Sequence, residues 1–376
     1  MQVQVVKESL KAALTKAKVS YNGKTTLPIL STFLLEAKDG KLVIKSTDLG
    51  TATIHAIPAD HIAEEGIVCL DAVALITAVS SAPRKAMITI GVESAFAAKG
   101  YVEFSGATIS VDVFPADEFP LIPQVVFESG LEVEAQELKA VLERVAPAAA
   151  KDSARPVLEC IEVKFWAGLL NFQTTDGFRL AKDAIPYSGE STGNFLISAA
   201  NGAKLAKAIG RYGGHCAIQE QEHNVSFYFG DSFSGTVFVI QKEEEGIPYP
   251  DTEYITTLPQ NIVSIATVEA SVLLDMCKRV PVVGKDNTVL LSMSDEGRLY
   301  LENFKGTITG SLYADAAVDG ASVSAGFNLK YLLDMLSPLK DGVITMSIES
   351  ENSPLYAVSD VLDHLLYVIM SMLKGG

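Results

Sequence analysis

A helical pattern that returns at one long, fixed interval limits the fold of this chain more than any other feature. Three segments, Leu70–Ala82, Ser198–Tyr212 and Phe327–Lys340, carry apolar residues at helical spacing, and they align when the equally spaced Ala72, Ala200 and Asn328 are matched. A second helical set, Val5–Val19, Glu134–Lys151 and Val268–Val280, precedes them in the same order. Solenoid repeats run about 20–50 residues, and the interval from Ala72 to Ala200 far exceeds that, so the repeated unit is a domain. A chain of 376 residues is also too long for one ordinary core.

Strand patterns with turn punctuation fill the intervals. Lys38-Asp39-Gly40 separates two alternating stretches, Ile161–Pro186 repeats the design, and Leu290–Ala314 gives it again around Asp295-Glu296-Gly297. Each copy therefore predicts helix, strands, helix, strands. The expected fold class is α+β, with three similar domains, each of two helices packed on antiparallel sheet. The connectors near Gln124 and Asp251 place the domains at residues 1–124, 125–251 and 252–376.

The net charge of −16 speaks against a uniformly nucleic-acid-binding surface, so any such role requires charge segregation. The segregation is present. The six helical windows hold fourteen Lys/Arg against eight Asp/Glu, while the rest of the chain holds sixteen against thirty-eight. The basic residues include Lys7 and Lys11 in the first helix, Lys151 at the end of the third, and Lys204, Lys207 and Arg211 in the fourth, which has no acid. One reading is a solvated face on each helix. The other is a shared basic surface that meets phosphates, with acidic sheets outside. Without a phosphate cradle or interleaved aromatics, such contact is expected to be independent of base sequence.

Catalytic constellations are not legible. Cys69, Cys160, Cys216 and Cys277 are scattered, with no C-x-x-C pair, which fits a reducing compartment. The five histidines lack metal-ligand spacing. Val283-Gly284-Lys285-Asp286 is a P-loop fragment without its upstream glycine or following Ser/Thr, and there is no G-x-S-x-G elbow. Asp176-Gly177 reads as a turn, and Glu243-Glu244-Glu245 as a solvated loop. No run has the roughly 18 apolar residues of a membrane span, and the N-terminus lacks a signal-peptide core. A soluble, intracellular non-enzyme with no metal, cofactor or membrane contact is expected.

Several strings share the order and spacing of one family. They are Lys24-Thr25-Thr26-Leu27-Pro28-Ile29-Leu30 with Ser46-Thr47-Asp48-Leu49, Phe114–Pro120 (FPADEFP), and Arg155-Pro156-Val157-Leu158 with Thr175–Leu180 (TDGFRL). Tyr249-Pro250-Asp251-Thr252 and Gly326-Phe327-Asn328 with Tyr331-Leu332-Leu333 complete the set. Over essentially its whole length the sequence resembles the bacterial sliding clamps, the β subunit of DNA polymerase III holoenzyme.

That resemblance implies a head-to-tail homodimeric ring around double-stranded DNA, in the cytoplasm. It implies docking of the polymerase III catalytic subunit, the clamp loader, other polymerases and repair proteins through linear motifs. Lys24 falls at a DNA-touching loop position. The implied peptide pocket is Leu158, Thr175, Gly177, Phe178, Arg179 and Leu180 with Pro250, Val368, Met370 and Met372. The implied dimer interface sets Ile109 and Val111 against Val282 and Val283. Phe178, Tyr254 and Ser371 depart from residues common in the family. The rival expectation is a recruitment scaffold with the same pocket that does not encircle DNA.

Overall fold

A computed structural model describes the chain except for residues 93–97, 124, 126, 128–130, 232–233, 244–247, 282–286, 304–309, 340 and 373–376. The helices among the described residues are α1 (Lys7–Ala17), α2 (Ala72–Ser81), α3 (Ala135–Val145), α4 (Ala199–Ile209), the single turn α5 (Glu253–Thr256), α6 (Ala270–Arg279) and α7 (Leu329–Leu336). Apart from α5 they fall within the six expected windows and are shorter at their ends. Val5 and Val6 extend the strand Gln2–Val6, where β-branched residues are favoured, and Pro147 stops α3 by removing an N–H donor.

The repeat is visible in hydrogen bonds. The first N–H groups of α1, α3 and α6 donate to the carbonyls of Ala86, Gly214 and Gly342, each at 2.9 Å, and the three acceptors are equally spaced along the chain. Helices α2, α4 and α7 are capped instead by side chains at one repeat position: Asp71 accepts from Ala74, Ser198 from Asn201 and Asn328 from Lys330. Each cap satisfies an orphan donor, contributing on the order of 1 kcal/mol. The hairpin turn after Thr32–Lys38 has Asp39 and Gly40 at φ 50° and 72°, and Ala167-Gly168 takes the same shape at 50° and 80°. Two residues at positive φ match the twist of the flanking strands, which is why glycine recurs there.

The chain packs as two compact units that do not coincide with the three repeated segments. The first is residues 1–139, 187–191 and 204–242, and the second is residues 140–186, 192–203 and 243–376. In the first, a thirteen-stranded sheet runs from Leu131–Glu134 at one edge to His61–Glu64 at the other, all pairings antiparallel. Its middle joins two repeats, because Thr51–Pro58 pairs with Gly235–Gln241 from Thr51 opposite Ile240 to His55 opposite Thr236. In the second unit a nine-stranded sheet contains the same junction one repeat later. There Arg179–Pro186 pairs with Leu366–Ile369, Leu180 opposite Val368. A four-stranded sheet, Gly310–Asp315, Arg298–Asn303, Thr288–Ser294 and Val323–Asn328, completes it.

Helices cover the sheets by their apolar faces. In the first unit α1 and α2 lie side by side, burying Leu10, Leu14, Leu75 and Val79 with Phe33, Ile44 and Val102 of the strands. Complete burial of each of these large side chains contributes about 1.5–3 kcal/mol. The four cysteines are all buried, and burial pushes their thiols up, to about 11 for Cys69 and about 12 for Cys160 and Cys277.

The junction in the first unit encloses a titratable group. His55 is buried, its Nδ1 lies 2.8 Å from Thr236 Oγ1, and Lys16 Nζ donates to the same hydroxyl at 3.3 Å. Burial first, and the Lys16 charge second, lower the imidazole from 6.5 to about 4. The folded chain thus refuses a proton that the unfolded chain accepts. The stabilising contribution is full above pH 6.5 and is lost as pH falls toward about 4. The expected loss is about 3 kcal/mol, read by urea unfolding as an acid-dependent drop that His55→Asn lacks. Equal pH dependence in both proteins would refute it.

Candidate partner cleft and basic surface

The expected pocket residues lie in the second unit, built around the tight turn 175–179. Thr175 Oγ1 donates to Arg179 O at 2.7 Å, and Gly177 N donates to Thr175 Oγ1 at 3.1 Å. Asp176 Oδ1 accepts from the backbone of Phe178 and Arg179. Gly177 sits at φ 89°, the left-handed region that favours glycine, so Asp176-Gly177 is the expected turn. The turn pushes Phe178 outward, 64% exposed, while Leu180 and Val368 are buried with Tyr356. Met370 N donates to Phe178 O at 2.9 Å and keeps the exposed Met370 beside the exposed ring's backbone.

Other expected members are placed differently. The C-terminal strand ends at Ile369, so Met372 does not continue on its face. Met372 N instead donates to Gly326 O at 2.8 Å, and its sulfur accepts from Thr288 at 3.3 Å. Leu158 is half-buried, with its carbonyl accepting from Ala150. The connector bearing Pro250 is tied to the strand Leu169–Thr175, since Thr252 Oγ1 donates to the Gln173 side chain at 2.9 Å.

Arg179 supplies structure rather than free charge. Its guanidinium donates to Asp176 at 3.0 Å, to Asp334 at 2.7 Å and to the Pro147 carbonyl, and it stacks on Tyr331 at 4.2 Å. Around it Arg144, Pro147, Tyr331, Asp334 and Tyr367 enclose about 10 Å³, room for about one water. These five residues were absent from the expected pocket. Only the break at Pro147 and the α7 face carrying Tyr331 and Asp334 offered a sequence signal. Deeper in, Arg144 Nε donates to Asp183 at 2.5 Å, and Tyr367 Oη donates to Arg144 O at 2.9 Å. Burial raises the Asp183 carboxyl, and Arg144 partly opposes that rise.

The basic residues divide into two groups. Lys11, Lys24, Lys151, Lys207 and Arg211 are exposed. Lys7 is not, which corrects its placement among phosphate contacts: it is 8% exposed, and its ammonium donates to the carbonyls of Ser80 and Ala82 at the end of α2. A cation there answers the negative end of the helix dipole. Lys204 is half-buried and pairs with Asp48 at 2.5 Å, joining α4 to the first repeat's turn.

The expected interface residues differ in exposure. Val111 is 1% exposed and its side chain belongs to the chain's own core, so contact with a partner there is left to its backbone. Ile109 is half-buried, and Val282 and Val283 lie outside the described residues. Glu244, Glu245 and the sequence Val283–Asp286 are likewise outside them. Among the described residues no group of three or more His, Cys, Asp or Glu is arranged to hold a metal ion, and no helix is long and apolar enough to cross a membrane.

Three successive α+β repeats, stitched by antiparallel strand pairing, define a DNA-clamp fold. The DNA polymerase III beta subunit family matches in three stretches: its N-terminal domain over residues 1–123, its central domain over 132–240 and its C-terminal domain over 255–373. The chain belongs to this family, that of the bacterial sliding clamps. It is 24% identical to the beta sliding clamp of Streptomyces coelicolor, over 94% of this chain and 93% of that one. It is 22% identical to that of Pseudomonas putida, over 99% and 100%. The crystal structure of the Bacillus subtilis DNA polymerase sliding clamp superposes with a TM-score of 0.89 at 20% identity, covering all of both chains.

Removal of one member of the Arg144–Asp183 pair tests the cleft's foundation. Asp183→Ala leaves a buried guanidinium without its carboxylate, and the expected cost is about 3–5 kcal/mol of unfolding free energy by denaturant titration. A cost below about 1 kcal/mol would show that the pair does not brace this region.

Proposed function

We propose that this protein is a DNA sliding clamp: two copies joined head to tail in a ring that encircles duplex DNA in the cytoplasm and tethers polymerases to it. One observation carries the reading. Two repeat junctions are made within the chain, Thr51–Pro58 with Gly235–Gln241 and Arg179–Pro186 with Leu366–Ile369. The remaining strands of the same kinds have open edges. Gly310–Asp315 ends its sheet, and Ala107–Phe114 pairs on its second side only through Val113 and Phe114 among the described residues. Pairing these two edges between copies repeats the internal junction and closes two chains on themselves by symmetry. It also uses backbone groups that otherwise invite uncontrolled aggregation.

Function then follows from topology rather than affinity. The exposed Lys11, Lys24, Lys151, Lys207 and Arg211 supply phosphate contacts that carry no sequence information and are screened by salt. Weak contacts of this kind permit sliding, and the ring prevents escape. Phe178 and Met370, exposed beside the buried Leu180 and Val368, supply an adaptable apolar surface for short linear motifs of the replicative polymerase, the clamp loader and repair proteins. No step of covalent chemistry is required of the protein.

Two outcomes test this. After loading, the protein is expected to remain on closed circular DNA through a high-salt wash and to run off when the circle is linearised; equal loss from both templates would leave the scaffold reading. Alternate N–H groups of an edge strand point outward, so one of Leu312→Pro and Tyr313→Pro removes an intermolecular hydrogen bond. That variant is expected to shift the solution mass from dimer to monomer, and dimers of unchanged affinity from both variants would move the interface elsewhere.

A further inference from the structure

The turn that shapes the Phe178–Met370 cleft has a counterpart one repeat earlier. Thr47 Oγ1 donates to Thr51 O at 2.8 Å, and Leu49 N donates to Thr47 Oγ1 at 3.0 Å. Asp48 Oδ1 accepts from Thr51 N at 2.7 Å. Thr47, Leu49, Thr51 and Ala52 thus stand where Thr175, Gly177, Arg179 and Leu180 stand. The neighbouring strand agrees: Val239 lies opposite Ala52 as Val368 lies opposite Leu180. Gln241 N donates to Gly50 O at 3.0 Å as Met370 N donates to Phe178 O. All of these residues of the earlier copy lie in the first unit.

This earlier copy is a cavity of about 240 Å³. Ala52 lines it where the later copy has the larger, buried Leu180. Leu49 and Leu121 flank it, 54% and 99% exposed. Leu49 also holds φ 75°, where its repeat partner is glycine. The left-handed region disfavours leucine, so the chain keeps an apolar side chain at the opening against a local penalty. Asn224 and Gln241 offer amide groups and His223 an imidazole beside the apolar floor, and among the described residues no Asp, Glu, Lys or Arg lines the cavity.

We infer that this cavity is a second docking site for a linear segment of another protein, uncharged where it touches and anchored by one or two leucine-sized side chains. The volume lies below the roughly 300–1,000 Å³ of small-molecule sites, which favours a side-chain anchor over a cofactor. A lining whose one titratable member among the described residues is His223 fits a neutral segment, since a buried unpaired charge would be expensive. Amides and hydroxyls at the rim suit the peptide backbone. The inference rests on the reading of the Phe178–Met370 cleft as a motif site.

Methyl NMR of the full chain separates the two sites. The probe is a capped octapeptide of serine and glutamine with two central leucines. Saturable shifts are expected at the Leu49, Leu121 and Val239 methyls, with the apparent Kd raised at least tenfold by Leu49→Asp with Leu121→Asp. Aspartate tolerates positive φ and both side chains are exposed, so unchanged methyl signals elsewhere are expected to certify folding. Shifts confined to the Met370 and Met372 methyls would overturn this inference and leave the motif cleft standing. Shifts confined to the Leu49 group would support it and remove the motif cleft. No shifts at several millimolar peptide would overturn both.

Discussion

The pairing of one repeat's strand with the next repeat's strand is the constraint on which the rest depends. A sheet edge presents unpaired N–H and C=O groups, and at two places in the chain one repeat satisfies such an edge with backbone from the next. Because Thr51–Ile240 and Arg179–Ile369 are in register, the residues around positions 47–52 and 175–180 are carried to the same place beside a partner strand. Both clefts are by-products of that one junction. Their side chains differ: a guanidinium stacks on Tyr331 in the later copy, and a threonine donates to Asp48 in the earlier.

Tertiary contacts decide what basic residues can do. A lysine on a helix face contributes to a phosphate-facing surface only if the fold leaves its ammonium in water. Lys7 is consumed by the carbonyls that end α2, Lys204 by Asp48 and Arg144 by Asp183. Their neighbours Lys11, Lys207 and Lys151 remain exposed. The net positive helices read from composition therefore overstate the charge available to DNA. What remains is suited to weak, screened contacts, and the proposed ring requires no more than that.

Much of the fold was legible because it rests on local rules. Helical spacing, the Asp71, Ser198 and Asn328 caps, and the Asp39-Gly40 and Asp176-Gly177 turns act within a few residues, and the repeat prints each of them more than once. Less of the site was legible. Val111 alternates correctly for a strand, but alternation does not say which face meets a core and which a partner. Met372 has the right parity for the face of Met370, yet a hydrogen bond to Gly326 carries it off that strand.

By itself the sequence determined the repeat, the α+β content, the turn chemistry and the family, since each depends on spacing along the chain. The tertiary structure alone decided which charges are spent, which strand edges stay open, and that the counterpart of the Phe178–Met370 cleft is a cavity. Those outcomes depend on residues far apart in the chain, such as Lys204 with Asp48 and Ala52 with Val239, meeting across a junction. Spacing cannot report that meeting, because the free energy of a side chain depends on the neighbours that folding brings to it.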